Sequence, residues 1–225
     1  MLLLVLLDVD GTLFLTDDPL VGEVTAEAAR EVWGVDLAPD CLARLEHQGG
    51  LALGQARRLV RRAGVPEPEI EAGLRRWCAL HAERYVERLA ETDTSAWRAA
   101  EGAETTLAEL QTRARLALLT GNAEPIARAR MERLGLARFF PAGQGAFGCD
   151  AEDRASLIEI ARERAGGWPA RETVTVGDTE ADVAGAHEAG IRVVGVHGDP
   201  HALAGADVRI SALASLPEAL SSLRP

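Results

Sequence analysis

Leu2-Leu3-Leu4-Val5-Leu6-Leu7-Asp8-Val9-Asp10-Gly11-Thr12 decides the reading of this 225-residue chain. The unbroken apolar run predicts a short strand buried on both faces, as in a parallel sheet. Open α/β sheets bind ligands beyond the carboxyl ends of such strands. Asp8 and Asp10 stand at that end, and residues i and i+2 of an extended segment project to the same side. Gly11 frees the backbone for a sharp turn. Two carboxylates so placed suit a metal-assisted phosphoryl or acyl transfer: one attacks, one moves a proton, and a cation sits between them.

Outward from this strand, no strand-like alternation appears between about Thr16 and Thr94. Glu23–Trp33, Gly54–Ala63 and Glu69–Leu89 carry apolar residues at helical spacing, broken at Gly34, Gly49-Gly50, Gly64 and Pro66. After Thr94 strands and helices alternate. Strands are expected at Arg115–Leu119, Gly145–Phe147, Thr173–Val176, Arg192–Val196 and Val208–Ile210. The fold class predicted is α/β: a doubly wound, Rossmann-like parallel sheet with an inserted all-helical cap. Residues 1–15 and 95–225 make the core and residues 16–94 the cap.

Three further loops at the same sheet end carry groups able to meet a phosphate or a metal. Thr120-Gly121-Asn122 follows the second strand. Arg154 opens the helix after Phe147-Gly148-Cys149-Asp150. Gly177-Asp178-Thr179-Glu180-Ala181-Asp182 follows the fourth strand, and Asp178 and Asp182 share a helix face if the helix begins near Asp178. Taken singly, such groups are caps, turns or surface charges. Together they are complementary in type: carboxylates, a hydroxyl and a guanidinium.

With these residues the chain resembles the haloacid dehalogenase superfamily, in particular its phosphoglycolate-phosphatase-like branch with a helical cap. Asp8-Val9-Asp10-Gly11-Thr12-Leu13 matches the first motif, Thr120-Gly121-Asn122 the second, Arg154 the third, and Gly177-Asp178 with Asp182 the fourth. The resemblance implies a phosphoric monoester hydrolase. Asp8 would be the nucleophile that forms an aspartyl-phosphate. Asp10 would protonate the leaving oxygen and then activate water. Mg²⁺ would be held by Asp8, the Asp10 backbone carbonyl and Asp178, with Asp182 as a ligand or behind the ligands. Thr120 and the Gly121 and Asn122 amides would bind phosphate oxygens, and Arg154 would neutralise charge on them. Arg162 and Arg164, further along the same helix, are read as solvent-facing.

Asp10 argues against dehalogenation, because family dehalogenases lack an acid two residues after the nucleophile. The chain has no lysine among its 24 basic residues, which excludes Schiff-base cleavage through a cap lysine. A phosphomutase is the enzymatic alternative. A non-catalytic binding module is the other, although no motif carboxylate is lost. In the cap, Gln48-Gly49-Gly50-Leu51-Ala52-Leu53-Gly54-Gln55 replaces a polar Gly-x-Thr-Asp-like stretch of related phosphatases. Arg57, Arg58, Arg61 and Arg62 read as a solvated charged face or, in the sharper reading, as a grip on a second anion. Trp33, Trp77 and Trp97 read as packing residues, and His47 and His81 as surface or packed groups.

The net charge of −11 argues against binding nucleic acid or an anionic membrane. The partner expected is a small phosphorylated metabolite, and no feature sets the oligomeric state. Cys41, Cys78 and Cys149 form no CxxC pair, and three unpaired cysteines fit a reducing compartment. The first apolar run is too short to span a membrane and lacks a basic flank. A cytoplasmic protein is expected.

Overall fold

The computed structural model describes residues 2–45 and 50–223. Six parallel strands, β1 (Leu3–Leu7), β2 (Ala114–Thr120), β3 (Ala146–Phe147), β4 (Thr173–Gly177), β5 (Arg192–Val196) and β6 (Val208–Ile210), form one sheet in the order β3-β2-β1-β4-β5-β6. Eight α-helices accompany them among the described residues: α1 (Leu20–Trp33), α2 (Ala52–Arg62), α3 (Glu67–Leu89), α4 (Ala103–Leu110), α5 (Glu124–Arg133), α6 (Arg154–Arg164), α7 (Glu180–Glu188) and α8 (Leu216–Ser222). The predicted fold class is the one observed.

The leucine-rich run makes β1 the centre of the sheet because both of its faces are covered. Leu3, Val5 and Leu7 pack with Leu107 and Leu110 of α4 and Leu216 and Leu220 of α8. Leu4 and Leu6 point the other way, onto Leu157 and Ile158 of α6 and Val183 and Ala186 of α7. The alternation follows the period of two of an extended chain. Each fully buried leucine contributes on the order of 2 kcal/mol, so a polar residue in β1 has no tolerant face.

Strand order reverses about β1. The chain runs outward through β2 and β3, then returns to lay β4, β5 and β6 on the other side. Leu7 pairs with Leu118 on one flank and Val176 on the other. The loops after β1, β2 and β4 therefore leave the same edge, at the switch point where such sheets bind ligands.

Helices α1, α2 and α3 lie between β1 and α4 in the chain. Ala28, Ala29, Ala56, Val60, Ile70, Leu74 and Trp77 form their own core. A second cluster joins Leu20, Val24, Ala82, Tyr85 and Leu89 to Ala123 and Ile126, at and within the start of α5. The connections in and out run together: Phe14 bridges Ala99 in antiparallel fashion, and the Leu15 N–H donates to the Arg98 carbonyl at 3.1 Å.

The tryptophans pack as expected. Trp77 is buried and stacks on His81 at 4.6 Å, Trp33 donates to the Glu69 carbonyl at 3.0 Å, and Trp97 meets Phe14 edge-on at 4.9 Å. Burial drives the His81 pKa down to about 3, helped by the charge of Arg130. His47, Gln48 and Gly49 lie outside the described residues.

The cysteine reading is corrected. Cys78 of α3 and Cys149, two residues beyond β3, form a disulfide across 71 residues of chain, leaving only Cys41 as a buried thiol. The bond joins the inserted helices to the sheet domain, a pairing that spacing along the chain does not reveal. The argument from unpaired cysteines to a reducing compartment therefore fails. Among the described residues no helix is long and apolar enough to cross a membrane.

Candidate active site

The turn after β1 needs a residue that tolerates both a left-handed backbone and a close neighbour. Gly11 supplies both: its φ is +74°, and a Cβ there would stand 2.0 Å from Asp178 Oδ2. The chain thus folds back and brings Asp8 and Asp178 together. The Asp8 N–H donates to the Val176 carbonyl at 2.9 Å, and Thr12 Oγ1 donates to Asp178 Oδ1 at 3.3 Å.

Asp8 and Asp182 are buried and Asp178 is partly so. One carboxylate oxygen from each lies within 4.8 Å of the others, a group able to hold a metal ion. Burial pushes the Asp8 carboxyl well above the ordinary carboxylate range; Arg154 opposes this, and Asp182, Asp10 and Asp178 add to it. Burial, then Asp182, pushes Asp178 up to about 6. These carboxylates thus carry more negative charge than Arg154 alone offsets. Hard oxygen donors with excess negative charge suit a hard divalent cation.

Arg154, the first residue of α6, is buried beside them. Nη2 lies 3.0 Å from Asp182 Oδ1 and 3.6 Å from Asp8 Oδ2, and Nη1 donates to the Leu119 carbonyl at 3.2 Å. Its stem lies across Gly185 of α7, where a Cβ would meet Arg154 Cγ at 2.4 Å. Burial disfavours the guanidinium charge, but Asp182 and Asp8 outweigh that and hold it protonated. Arg162 pairs with Glu159 and Arg164 with Asp150; Arg164 is exposed as expected, whereas the Arg162 side chain is only 17% exposed because its Nε also donates to the Trp168 carbonyl at 2.8 Å.

The condition for Asp178 and Asp182 to share a helix face is not met. Helix α7 begins at Glu180 with Thr179 as its N-cap, so Asp178 lies outside the helix. Asp182 closes a capping box instead: its Oδ2 accepts from the Thr179 N–H at 3.1 Å and from Thr179 Oγ1 at 2.6 Å. One oxygen of Asp182 therefore fixes the helix start, and the other faces Arg154. The Thr179-x-x-Asp182 spacing carried that signal.

Asp8, Asp10, Gly121, Asn122, Arg154 and Asp178 line one cavity of about 930 Å³. Thr120 and Asp182 are fully buried behind them. Thr120 Oγ1 accepts from the Asn122 N–H at 3.3 Å and from Asn122 Nδ2 at 3.1 Å, while the same amide group donates to Asp10 Oδ2.

Sequence reading missed Arg130. This α5 residue is buried, and its Nη1 lies 2.6 Å from Asp10 Oδ1. The flanking Arg128 and Arg133 gave α5 the pattern of a charged surface helix, and nothing local marked Arg130 as different. Among the cap arginines, Arg57 pairs with Glu67, Glu71 and Glu152, and Arg61 with Glu67.

The fold agrees with the comparisons to known proteins. A family model of haloacid dehalogenase-like hydrolases matches residues 2–190, and the chain belongs to that family. Its fold is similar to β-phosphoglucomutase from Clostridium difficile (TM-score 0.71, 16% identity, covering 100% of this chain and 97% of that one). It is also similar to a predicted phosphatase from Clostridium acetobutylicum (TM-score 0.66, 19% identity, 99% and 100%). A predicted phosphoglycolate phosphatase from Haemophilus somnus shares the fold too (TM-score 0.62, 20% identity, 97% and 98%). No curated protein matches the chain.

Proposed function

We propose that the protein is a Mg²⁺-dependent phosphatase that hydrolyses a small phosphomonoester through an aspartyl-phosphate. The observation that carries this reading is the setting of Asp8. It is a buried carboxylate facing a cavity, with a guanidinium and two further carboxylates beside it. Asp8 attacks phosphorus, and the ester oxygen leaves as the Asp8–phosphorus bond forms. Asp10 gives that oxygen a proton and later takes one from the water that cleaves the aspartyl-phosphate. Arg154 offsets charge spreading over the phosphoryl oxygens, and the amides of Gly121 and Asn122 fix their orientation, with the Thr120 hydroxyl holding Asn122 from behind.

Asp8, Asp178 and the backbone carbonyl of Asp10 would hold Mg²⁺, with Asp182 beside them. When bound, the ion would offset the repulsion between an anionic nucleophile and an anionic substrate. The three-carboxylate group and the raised Asp8 and Asp178 pKa values support that assignment.

Residues 16–94 act as a cap hinged near Leu15 and Thr94, on a core of residues 1–15 and 95–225. The paired backbone at Phe14 and Ala99 supports these limits. The leaving group is a small alcohol of a phosphorylated metabolite. Arg57 and Arg61 are engaged by glutamates and are not left to grip a second anion.

Release of phosphate from 4-nitrophenyl phosphate, with and without Mg²⁺, tests the reading. Turnover that requires Mg²⁺ and disappears in Asp8→Asn is expected; metal-independent turnover, or a fully active Asp8→Asn, refutes it. A phosphomutase is the second reading, favoured by the whole-chain likeness to a β-phosphoglucomutase. It requires phosphate transfer that depends on a bisphosphate activator, with little net hydrolysis.

A further inference from the structure

Burying an arginine costs several kcal/mol unless its charge and donors are met. Arg130 is 2% exposed, yet it sits in the wall of the cavity. Its fork is met in an unusual way. Nη1 goes to Asp10 Oδ1 at 2.6 Å, and Nη2 and Nε go to Asp18 Oδ2 at 2.9 and 3.3 Å. Nε also reaches the Tyr85 hydroxyl at 3.2 Å, and that hydroxyl donates to Asp18 Oδ2 at 2.5 Å. The guanidinium lies 4.9 Å from the centre of the Phe14 ring and 5.7 Å from that of Tyr85.

These partners have a clear division. Asp10 belongs to the loop after β1. Asp18 precedes α1, and Tyr85 lies in α3, both within the inserted segment. Arg130 is therefore a bridge from the site to the helices above it. The planar fork suits this use; the point charge of a lysine would not hold two carboxylates at fixed angles.

Asp10 needs such a bridge. Its side chain is 52% exposed, so packing alone does not fix its rotamer. Arg130 holds Oδ1 and Asn122 holds Oδ2, and each oxygen keeps a lone pair free for a proton. The leaving oxygen and the attacking water both stand opposite Asp8 across phosphorus, so one carboxylate orientation serves both proton transfers.

We propose that Arg130 is a positioning residue for Asp10, itself held in place by Asp18 and Tyr85 when α3 is seated on α5. This rests on the reading of Asp10 as the proton-transferring group. The test compares kcat/KM on an alkyl phosphate, whose leaving oxygen needs a proton, with kcat/KM on 4-nitrophenyl phosphate, whose leaving group does not. A 1 Å misplacement costs about 10²-fold. Arg130→Gln is expected to lose about that much on the alkyl ester and less than about tenfold on the aryl ester, with partial rescue in Arg130→Lys. Tyr85→Phe, which removes only one hydroxyl, should shift the ratio in the same direction and keeps the test open if Arg130→Gln does not fold. Equal losses on the two esters, or an unchanged ratio in Tyr85→Phe, overturn the proposal. A wild-type enzyme inactive on both esters would instead overturn the proposed function.

Discussion

Breaking the bond between Cys78 and Cys149 should release the cap at a measurable cost. The two cysteines are separated by 71 residues, and one lies in α3 while the other lies in the loop after β3. In the chain-entropy description, opening a loop of that length forfeits about 4 kcal/mol of constraint on the unfolded chain. For a protein of this size each kcal/mol corresponds to roughly 2–4 °C, so the midpoint should fall by about 8–16 °C. The perturbation is either dithiothreitol or Cys149→Ser, followed by thermal unfolding. Dithiothreitol should shift the wild type and leave Cys149→Ser unmoved. Alkylation of the denatured, unreduced protein must label one cysteine, Cys41. Three labelled cysteines, or a midpoint indifferent to reductant, would refute the reasoning.

On the proposed metal assignment, the titration of Asp178 couples Mg²⁺ binding to pH. Its folded pKa of about 6 lies above the ordinary 3.8, so between these values the metal-free native state holds a proton that the unfolded chain has lost. Metal-free stability therefore falls as pH rises through that window. Mg²⁺ should raise the melting temperature more at pH 7.5 than at pH 5, and Asp178→Asn should remove the difference. His81 works in the opposite sense. Its folded pKa is about 3 against an ordinary 6.5, so the unfolded chain takes up the extra proton and stability falls as pH drops below 6.5. From pH 6.5 to 5.0 the loss is about 2 kcal/mol, readable by urea denaturation with saturating Mg²⁺. His81→Phe, which keeps the stacking on Trp77, should flatten that slope; an unchanged slope would count against a neutral buried imidazole.

What was legible in the sequence was whatever is encoded locally. The run Leu2–Leu7 names a two-sided strand, and Arg154 is placed by the turn before its helix. The relation of Asp178 to Asp182 was half legible: the two share a helix face only if the helix begins near Asp178, and Thr179 is its N-cap instead. What stayed hidden depends on segments far apart in the chain. Arg130 reads as a surface charge until Asp10, Asp18 and Tyr85, between 45 and 120 residues away, converge on it. Cys78 and Cys149 are likewise paired by the docking of the cap, and no spacing rule reaches that far.

The glycines of the second and third loops show why docking and site geometry are one problem. A Thr-Gly-Asn stretch is easily read as a phosphate loop whose glycine exposes an amide. In this structure Gly121 also has to accept the cap: a Cβ there would stand 2.5 Å from the Gly50 carbonyl, and its own carbonyl receives the Ala52 N–H at 2.9 Å. Gly148 is tighter still, since a Cβ would lie 1.7 Å from the Gly121 carbonyl and 2.7 Å from the Ala52 nitrogen, while its carbonyl receives the Leu53 N–H at 2.9 Å. The first turn of α2 therefore spends two of its free N–H groups on the loops that carry Asn122 and Cys149, and not on an anion. Arg57 adds an ion pair to Glu152 at 2.7 Å on the same side. On the opposite side Asp18 and Tyr85 reach Asp10 through Arg130. The cap thus touches the core at the loops that hold the site. A movement of α2 displaces Gly121 and with it Asn122, and a movement of α3 displaces Arg130. Both Asn122 and Arg130 end on the carboxylate of Asp10, which on the proposed mechanism makes that side chain the point where cap position is converted into chemistry.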